Sequence, residues 1–164
     1  MKHIGVSNFS IKKLEDLMSK TGDNPEMNQV ELHPFLQQDK LLEFAKKNNI
    51  HLTAYSPLGS GDRIKEMKAE DEPSLLDDPV IRKIAEKHSA SPGQILIKWS
   101  VQRGTAVIPK STSRNHIISN LESEKINLDE QDMEEIAKMD RHFRYVNGEF
   151  FVTEKNPYEN IYDE

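Results

Sequence analysis

Short hydrophobic runs alternate along the chain with segments whose hydrophobic residues recur every three or four positions. The runs lie at 4–6, 28–32, 52–55 and 106–108, and the first three begin at an even spacing. Each run stops at polar, glycine or proline residues. Runs this short, separated by helical periodicity, are typical of buried strands that alternate with helices. The pattern therefore predicts successive βα units and a parallel sheet.

Each segment with helical periodicity follows a residue that can cap or open a helix, or that lies in a proline turn. These residues are Ser10, Pro34, Pro79, Ser91 and Asp129. The stretch 63–78 is charged and has no periodicity, so it is predicted to be an extended loop. We find no regular element in the aromatic and acidic tail from 141 to 164.

The composition excludes several classes of protein and of functional site. A chain of 164 residues can bury a core, and no hydrophobic run approaches the roughly 20 residues that span a membrane. The net charge of −6 argues against nucleic acid as the main partner. The absence of cysteine excludes a thiol catalyst and fits a reducing, cytoplasmic location. The six histidines are scattered without ligand spacing, so we expect no metal site.

Each predicted strand ends at polar residues. The carboxyl ends of the strands meet on one face of a parallel barrel or sheet. The polar residues are Ser7, Asn8, Gln29, Tyr55, Ser56, Lys110 and Ser111. The loop 57–62 adds glycine N–H groups and a second serine, which suit a phosphate. An aromatic ring, amides, hydroxyls and a cation together favour a nucleotide-like ligand. An ordinary polar turn remains the alternative for each residue alone.

Four motifs carry a resemblance to a known family. Gly5–Phe9, Asn28–Pro34, Ala54–Ser60 and Ile108–Ser111 resemble, in order, motifs of the aldo-keto reductases. The family has a (β/α)8 barrel that uses NADPH to reduce aldehydes and ketones to alcohols. The chain resembles only the C-terminal half of that barrel. The resemblance therefore implies an α/β fold, half of a (β/α)8 TIM-type barrel, in which about four parallel βα units precede an extra C-terminal helix and an irregular tail. Residues 1–164 would form a single incomplete domain.

The resemblance implies an NADP(H) site and assigns one end of it to the nicotinamide. Ser7, Asn8 and Gln29 would hold the carboxamide, and Tyr55 would stack beneath the ring. The pyrophosphate would lie along the loop after Tyr55, against Ser56, Leu58 and Ser60, with Asp62 on the part that closes over it.

The adenosine end of the implied site follows the fourth strand. Lys110 and Ser111 would face the phosphate on the adenosine ribose, and Asn120 would face the adenine. The family often has an arginine where this chain has His116. Because imidazole is a weaker phosphate partner than guanidinium, NAD(H) stays open as a cofactor.

No residue of this chain matches the family's catalytic tetrad, which belongs to the earlier half of the barrel. Tyr55, His33 and Lys110 could form an acid–base set, but His33 lies in a proline turn and Tyr55 has an implied stacking role. Three interpretations stay open: a reductase part that is inactive alone, a binding module for NADP(H) or another phosphate-bearing ligand, and a vestigial truncated half-barrel. The implied partners are a small carbonyl substrate and either a second copy or a complementing N-terminal half, because the outer strands would be unpaired edges.

Overall fold

The computed structural model describes residues 2–148 and 161–162. Their four strands form one parallel sheet in the order β1-β2-β3-β4. The strands are β1 Gly5–Ser7, β2 Met27–Glu31, β3 His51–Tyr55 and β4 Ala106–Val107. The helices are α1 Ile11–Thr21, α2 Asp39–Lys47, α3 Pro79–Lys87, α4 Pro92–Gln102, α5 Arg114–Glu122 and α6 Glu130–Ala137. The predicted α/β fold is confirmed, and each strand differs from its predicted bounds by one residue at one or both ends.

Side-chain caps fix where several helices begin. The Ser10 hydroxyl accepts the backbone N–H of Lys13 at 3.2 Å and starts α1. Ser91 and Gln94 form a reciprocal capping box at the start of α4, immediately before Pro92. Such caps satisfy N–H groups that a helix cannot pair internally. They explain why the predictions at these two positions are confirmed.

The structure adds one helix that periodicity did not predict. In α5 no residue is buried, and Ile117, Ile118 and Leu121 are exposed. Its three hydrophobic residues lie within five consecutive positions, a stretch too short for periodicity to indicate a helix. The signal available was a cap, because Ser113 accepts the backbone N–H of His116. The predicted loop 63–78 also contains a 3₁₀ turn at Lys65–Met67.

The core lies between the sheet and its helices. Leu52 and Ala54 on β3 are buried, as are Ile84 of α3 and Trp99 of α4. The helices α3 and α4 pack against each other, and α2 packs against β3. Burial of a large aliphatic or aromatic side chain contributes roughly 1.5–3 kcal/mol. The core therefore holds the carboxyl ends of the strands in fixed positions at one edge of the sheet.

The two outer strands each have one partner within the described residues. There β1 pairs only with β2, and β4 pairs only with β3. Of the described helices, none is long and apolar enough to cross a membrane.

Polar contacts of Asp132 join α6 to the end of α3. The Asp132 carboxylate accepts from Lys87 Nζ at 2.7 Å and lies 2.7 Å from His88 Nε2. Burial acts to raise the pKa of Asp132, but hydrogen bonds from Lys87, His88 and the N–H of Asp129 outweigh it and lower that pKa below its usual value. The charged form of Asp132 is therefore the one that stabilises the fold.

We expect Asp132→Asn to lower the free energy of unfolding by about 1–3 kcal/mol, because it removes the charged carboxylate that accepts from Lys87 and lies beside His88. A carboxyl group with a lowered folded-state pKa stabilises the fold above its unfolded pKa of about 4, and this contribution is lost as the pH falls. The variant should therefore lose less stability than the wild type on acidification. Urea unfolding at several pH values measures this, with the exposed Glu134→Gln on the same helix as control. Parallel pH profiles for wild type and Asp132→Asn would contradict the assignment.

Candidate functional site

The ends of the first three strands bring together four of the predicted site residues. The Ser7 hydroxyl and the Asn8 N–H both donate to the backbone carbonyl of Gln29, at 3.0 and 2.9 Å. The Tyr55 hydroxyl donates to Asn8 Oδ1 at 3.0 Å. Residues far apart in sequence therefore present amide, hydroxyl and aromatic groups at one place. Their contact with a nicotinamide stays a prediction.

The loop after β3 bends sharply through residues with left-handed backbone conformations. Ser56 has φ 51° and Ser60 has φ 46°, and Asn8 at the end of β1 has φ 58°. Such conformations are uncommon for residues other than glycine and often occur at binding sites. The Ser60 hydroxyl donates to Ser56 Oγ at 2.6 Å, which draws the loop into a tight turn. At Gly59, also at positive φ, an added Cβ would come within 3.1 Å of the Tyr145 ring.

A cavity of about 310 Å³ lies at the other end of the predicted groove. Leu58, from the loop after β3, lines it together with the predicted adenosine residues Lys110, Ser111, His116 and Asn120. These five residues come from three separate segments of the chain. The first turn of α5 lies at this cavity, and a helix N-terminus beside a lysine and a serine favours an anion. The geometry fits a phosphate-bearing ligand.

Asp62 and Lys110 connect the loop to this cavity through a direct ion pair. The hydrogen bond from Lys110, and then its charge, hold the pKa of the Asp62 carboxyl below its usual value. The side chains are 60% and 73% exposed, and an ion pair in water contributes little stability. The pair can therefore open and re-form at small cost.

The C-terminal tail reaches the strand ends, a contact that the sequence did not predict. The buried Glu31 carboxylate accepts the backbone N–H groups of Tyr145 at 2.6 Å and Val146 at 3.1 Å. The Tyr162 hydroxyl lies 3.2 Å from that of Tyr55 and donates to the Val146 carbonyl at 2.7 Å. Burial, followed by the Tyr162 hydroxyl, raises the pKa of Tyr55 well above its usual value. Tyr55 therefore remains a protonated hydrogen-bond donor.

The structure divides the candidate acid–base set among separate contacts. His33 is fully buried, and its Nε2 lies 2.9 Å from Glu31 Oε1. Lys110 is exposed and pairs with Asp62. Tyr55 contacts Asn8 and Tyr162. Each of the three groups thus contacts a different partner.

Comparison with known proteins decides the family. The sequence model described as the Aldo/keto reductase family matches residues 1–141. The chain belongs to the aldo-keto reductase family. The resemblance seen in the four motifs is therefore confirmed.

Individual family members align along nearly all of the chain. It is 51% identical over 164 residues to Aldo/keto reductase slr0942 of Synechocystis sp., covering 99% of this chain and 50% of that protein. It is 41% identical over 145 residues to Aldo-keto reductase family 1 member A1 of Gallus gallus, covering 88% of this chain and 44% of that one. The chain thus spans about half the length of the curated relatives it matches.

Solved structures of a similar protein agree with the fold. The crystal structure of Gox0644 without ligand superposes with a TM-score of 0.75 at 44% sequence identity, covering 85% of this chain and 47% of that one. A mutant of Gox0644 solved in complex with NADPH matches with the same values. The four parallel strands with their helices are consistent with half of a barrel, as predicted.

Proposed function

We propose that this chain is the cofactor-binding part of an aldo-keto reductase and holds NADP(H) along the groove from Asn8 to Asn120. The observation that carries the proposal is the arrangement of the strand ends. The Tyr55–Asn8 pair and the Lys110 cavity lie at the same edge of the sheet, joined by the loop that contains Ser56. The NADPH complex of the related Gox0644 mutant supports the same cofactor. None of the comparisons supports NAD(H).

Each part of the groove has a proposed role. Tyr55 would stack on the nicotinamide, while Ser7, Asn8 and Gln29 would bind its carboxamide. Ser56, Leu58 and Ser60 would line the pyrophosphate, and Asp62 would close over it by pairing with Lys110. Ser111, His116 and Asn120 would complete the adenosine end.

The bound cofactor would supply the hydride for reduction of an aldehyde or ketone. The chain would contribute binding and orientation, because the resemblance assigns the family's tetrad to the earlier half of the barrel. We therefore propose that residues 1–164 act as a single incomplete domain without turnover of their own. The absence of cysteine suits the reducing cytoplasm, which is the proposed location.

Cofactor titration tests the proposal directly. Adding the chain to NADPH should increase the nicotinamide fluorescence in a saturable way, because the ring moves from water into a protein site. Lys110→Gln should weaken binding about tenfold, the loss expected for one charge-assisted hydrogen bond to phosphate. Lys138→Gln, an exposed lysine after α6, is the matched control. Binding that never saturates would remove the cofactor from the groove and favour the vestigial alternative.

We expect His116→Arg to tighten NADPH binding several-fold and to leave NADH binding nearly unchanged. His116 lines the cavity with Lys110 and Ser111, where a planar guanidinium could bind a phosphate through two hydrogen bonds. Titration of both cofactors against wild type and variant measures the ratio of affinities. Equal changes for NADPH and NADH would show that position 116 does not contact the ribose phosphate.

A further inference from the structure

A second cavity, of about 320 Å³, adjoins the cofactor groove. Its walls include Lys12 and Lys40 in the first turns of α1 and α2, and Arg144 of the tail. Asn8 and Tyr162 line it as well, and both contact the Tyr55 hydroxyl. Asn8 is the one residue that this cavity shares with the proposed cofactor contacts.

The charge of this cavity is one-sided. Of the described residues that line it, three are charged and all three are cations, in a protein with a net charge of −6. Glu31, behind the wall, lies 3.8 Å from Arg144 and offsets part of its charge. Lys12 and Lys40 form no ion pair with any described residue. The cavity therefore attracts an anion from solution.

Arg144 gives the cavity a fixed cationic wall. Its side chain is 11% exposed, and its guanidinium stacks over the Tyr162 ring at 3.7 Å from the centroid. A guanidinium held in this way has lost most of its water and its freedom to rotate. It can therefore bind an oxyanion with little further ordering, and hydrogen bonds to charged partners are the stronger kind.

The N–H groups at the start of α2 add partial positive charge, while Asp39 in the same turn carries a negative charge and pairs with Arg103. Its cap residue, Gln38, lines the cavity, has φ 56° and makes no side-chain cap hydrogen bond. No cap side chain thus accepts the first N–H groups of this nine-residue helix. The helix dipole acts in the same direction as Lys12 and Lys40.

We propose that this cavity binds the carboxylate or phosphate group of a small metabolite, with Arg144 as the fixed contact and Lys12 and Lys40 on either side. Its volume lies at the lower end of the range for small-molecule sites, roughly 300–1,000 Å³. The cavity shares only Asn8 with the proposed cofactor contacts, and its ligand does not depend on the cofactor proposal. Because it adjoins Asn8 and Tyr162, its ligand would lie beside the nicotinamide end.

The test uses benzoate and phenyl phosphate as probes and follows the backbone amide resonances of the isotope-labelled chain. A saturable shift should appear at Lys12, Lys40 and Leu41, with millimolar or tighter affinity. The stronger of the two probes identifies the preferred anion. Saturation with NADPH should leave the shift in place, which separates this site from the phosphate contacts around Lys110.

Lys12→Gln and Lys40→Gln should each weaken probe binding about fivefold, as expected for the loss of one favourable charge interaction. Lys47→Gln, at the far end of α2, should leave it unchanged. All three lysines are exposed, so the variants should fold, and thermal melting checks this. Probe binding that both cavity variants retain, or that NADPH displaces, would overturn the proposal. The same holds if neither probe produces a saturable shift.

Discussion

The purified chain is expected to reduce no aldehyde or ketone above background with NADPH. Loss of positioned proton transfer alone typically costs ~10²–10⁴ in rate. The one candidate acid at the strand ends is poorly suited, because burial raises the pKa of Tyr55 away from the neutral range where a general acid works best. His33, the candidate partner, lies against Glu31. The chain would hold the cofactor without transferring its hydride.

The measurement is carbonyl-dependent oxidation of NADPH over a series of chain concentrations. Tyr55→Phe is the matched variant, because it keeps the aromatic ring for stacking and removes the hydroxyl. A contaminating host reductase would give the same rate in both preparations. Turnover that scales with chain concentration and disappears in Tyr55→Phe would contradict the prediction and show that the chain carries its own acid.

The position of the strand ends could be predicted, because each end is recognisable in the local sequence and parallel strands place all these ends at one edge of the sheet. Tyr55 and Asn8 lie on different βα units, yet each ends a short hydrophobic run, and such ends meet at one edge. The same reasoning predicts that Lys110 and Ser111 lie at this edge, and in the structure they line a cavity there. Hydrophobic periodicity and the turn residues that end each run were sufficient to predict that these residues share one edge.

Contacts of the tail could not be predicted, because they depend on tertiary packing without a periodic signal. Tyr145 and Val146 donate to Glu31 across more than a hundred residues of sequence. Glu31 occupies a strand position and carries no local sign that its carboxylate will be buried by the tail. The cationic cavity depends on the same packing, since Arg144 reaches it only when the tail lies on the strand ends.

Self-association is the second large effect that we expect. In the described residues β1 and β4 each pair on one side only, and an outer strand presents N–H and C=O groups that favour pairing with another chain. The helix that follows β4 adds exposed hydrophobic side chains, including Leu121 at 73% exposure. Two copies related by a two-fold axis could cover both features, because each would supply four strands toward the eight of a closed barrel. We therefore predict a homodimer or a poorly soluble aggregate.

Sedimentation equilibrium at low micromolar concentration measures the association, and Leu121→Lys should shift it toward the monomer because it places a charge on the exposed face of α5. Ile64→Lys is the control, since Ile64 is also an exposed hydrophobic residue but lies in the loop after β3. If association uses the β4 edge and α5, only the first variant should weaken it. A species of 18.9 kDa that stays monomeric as the concentration rises and melts cooperatively would contradict the prediction. That result would mean that the outer strands are protected within the single chain.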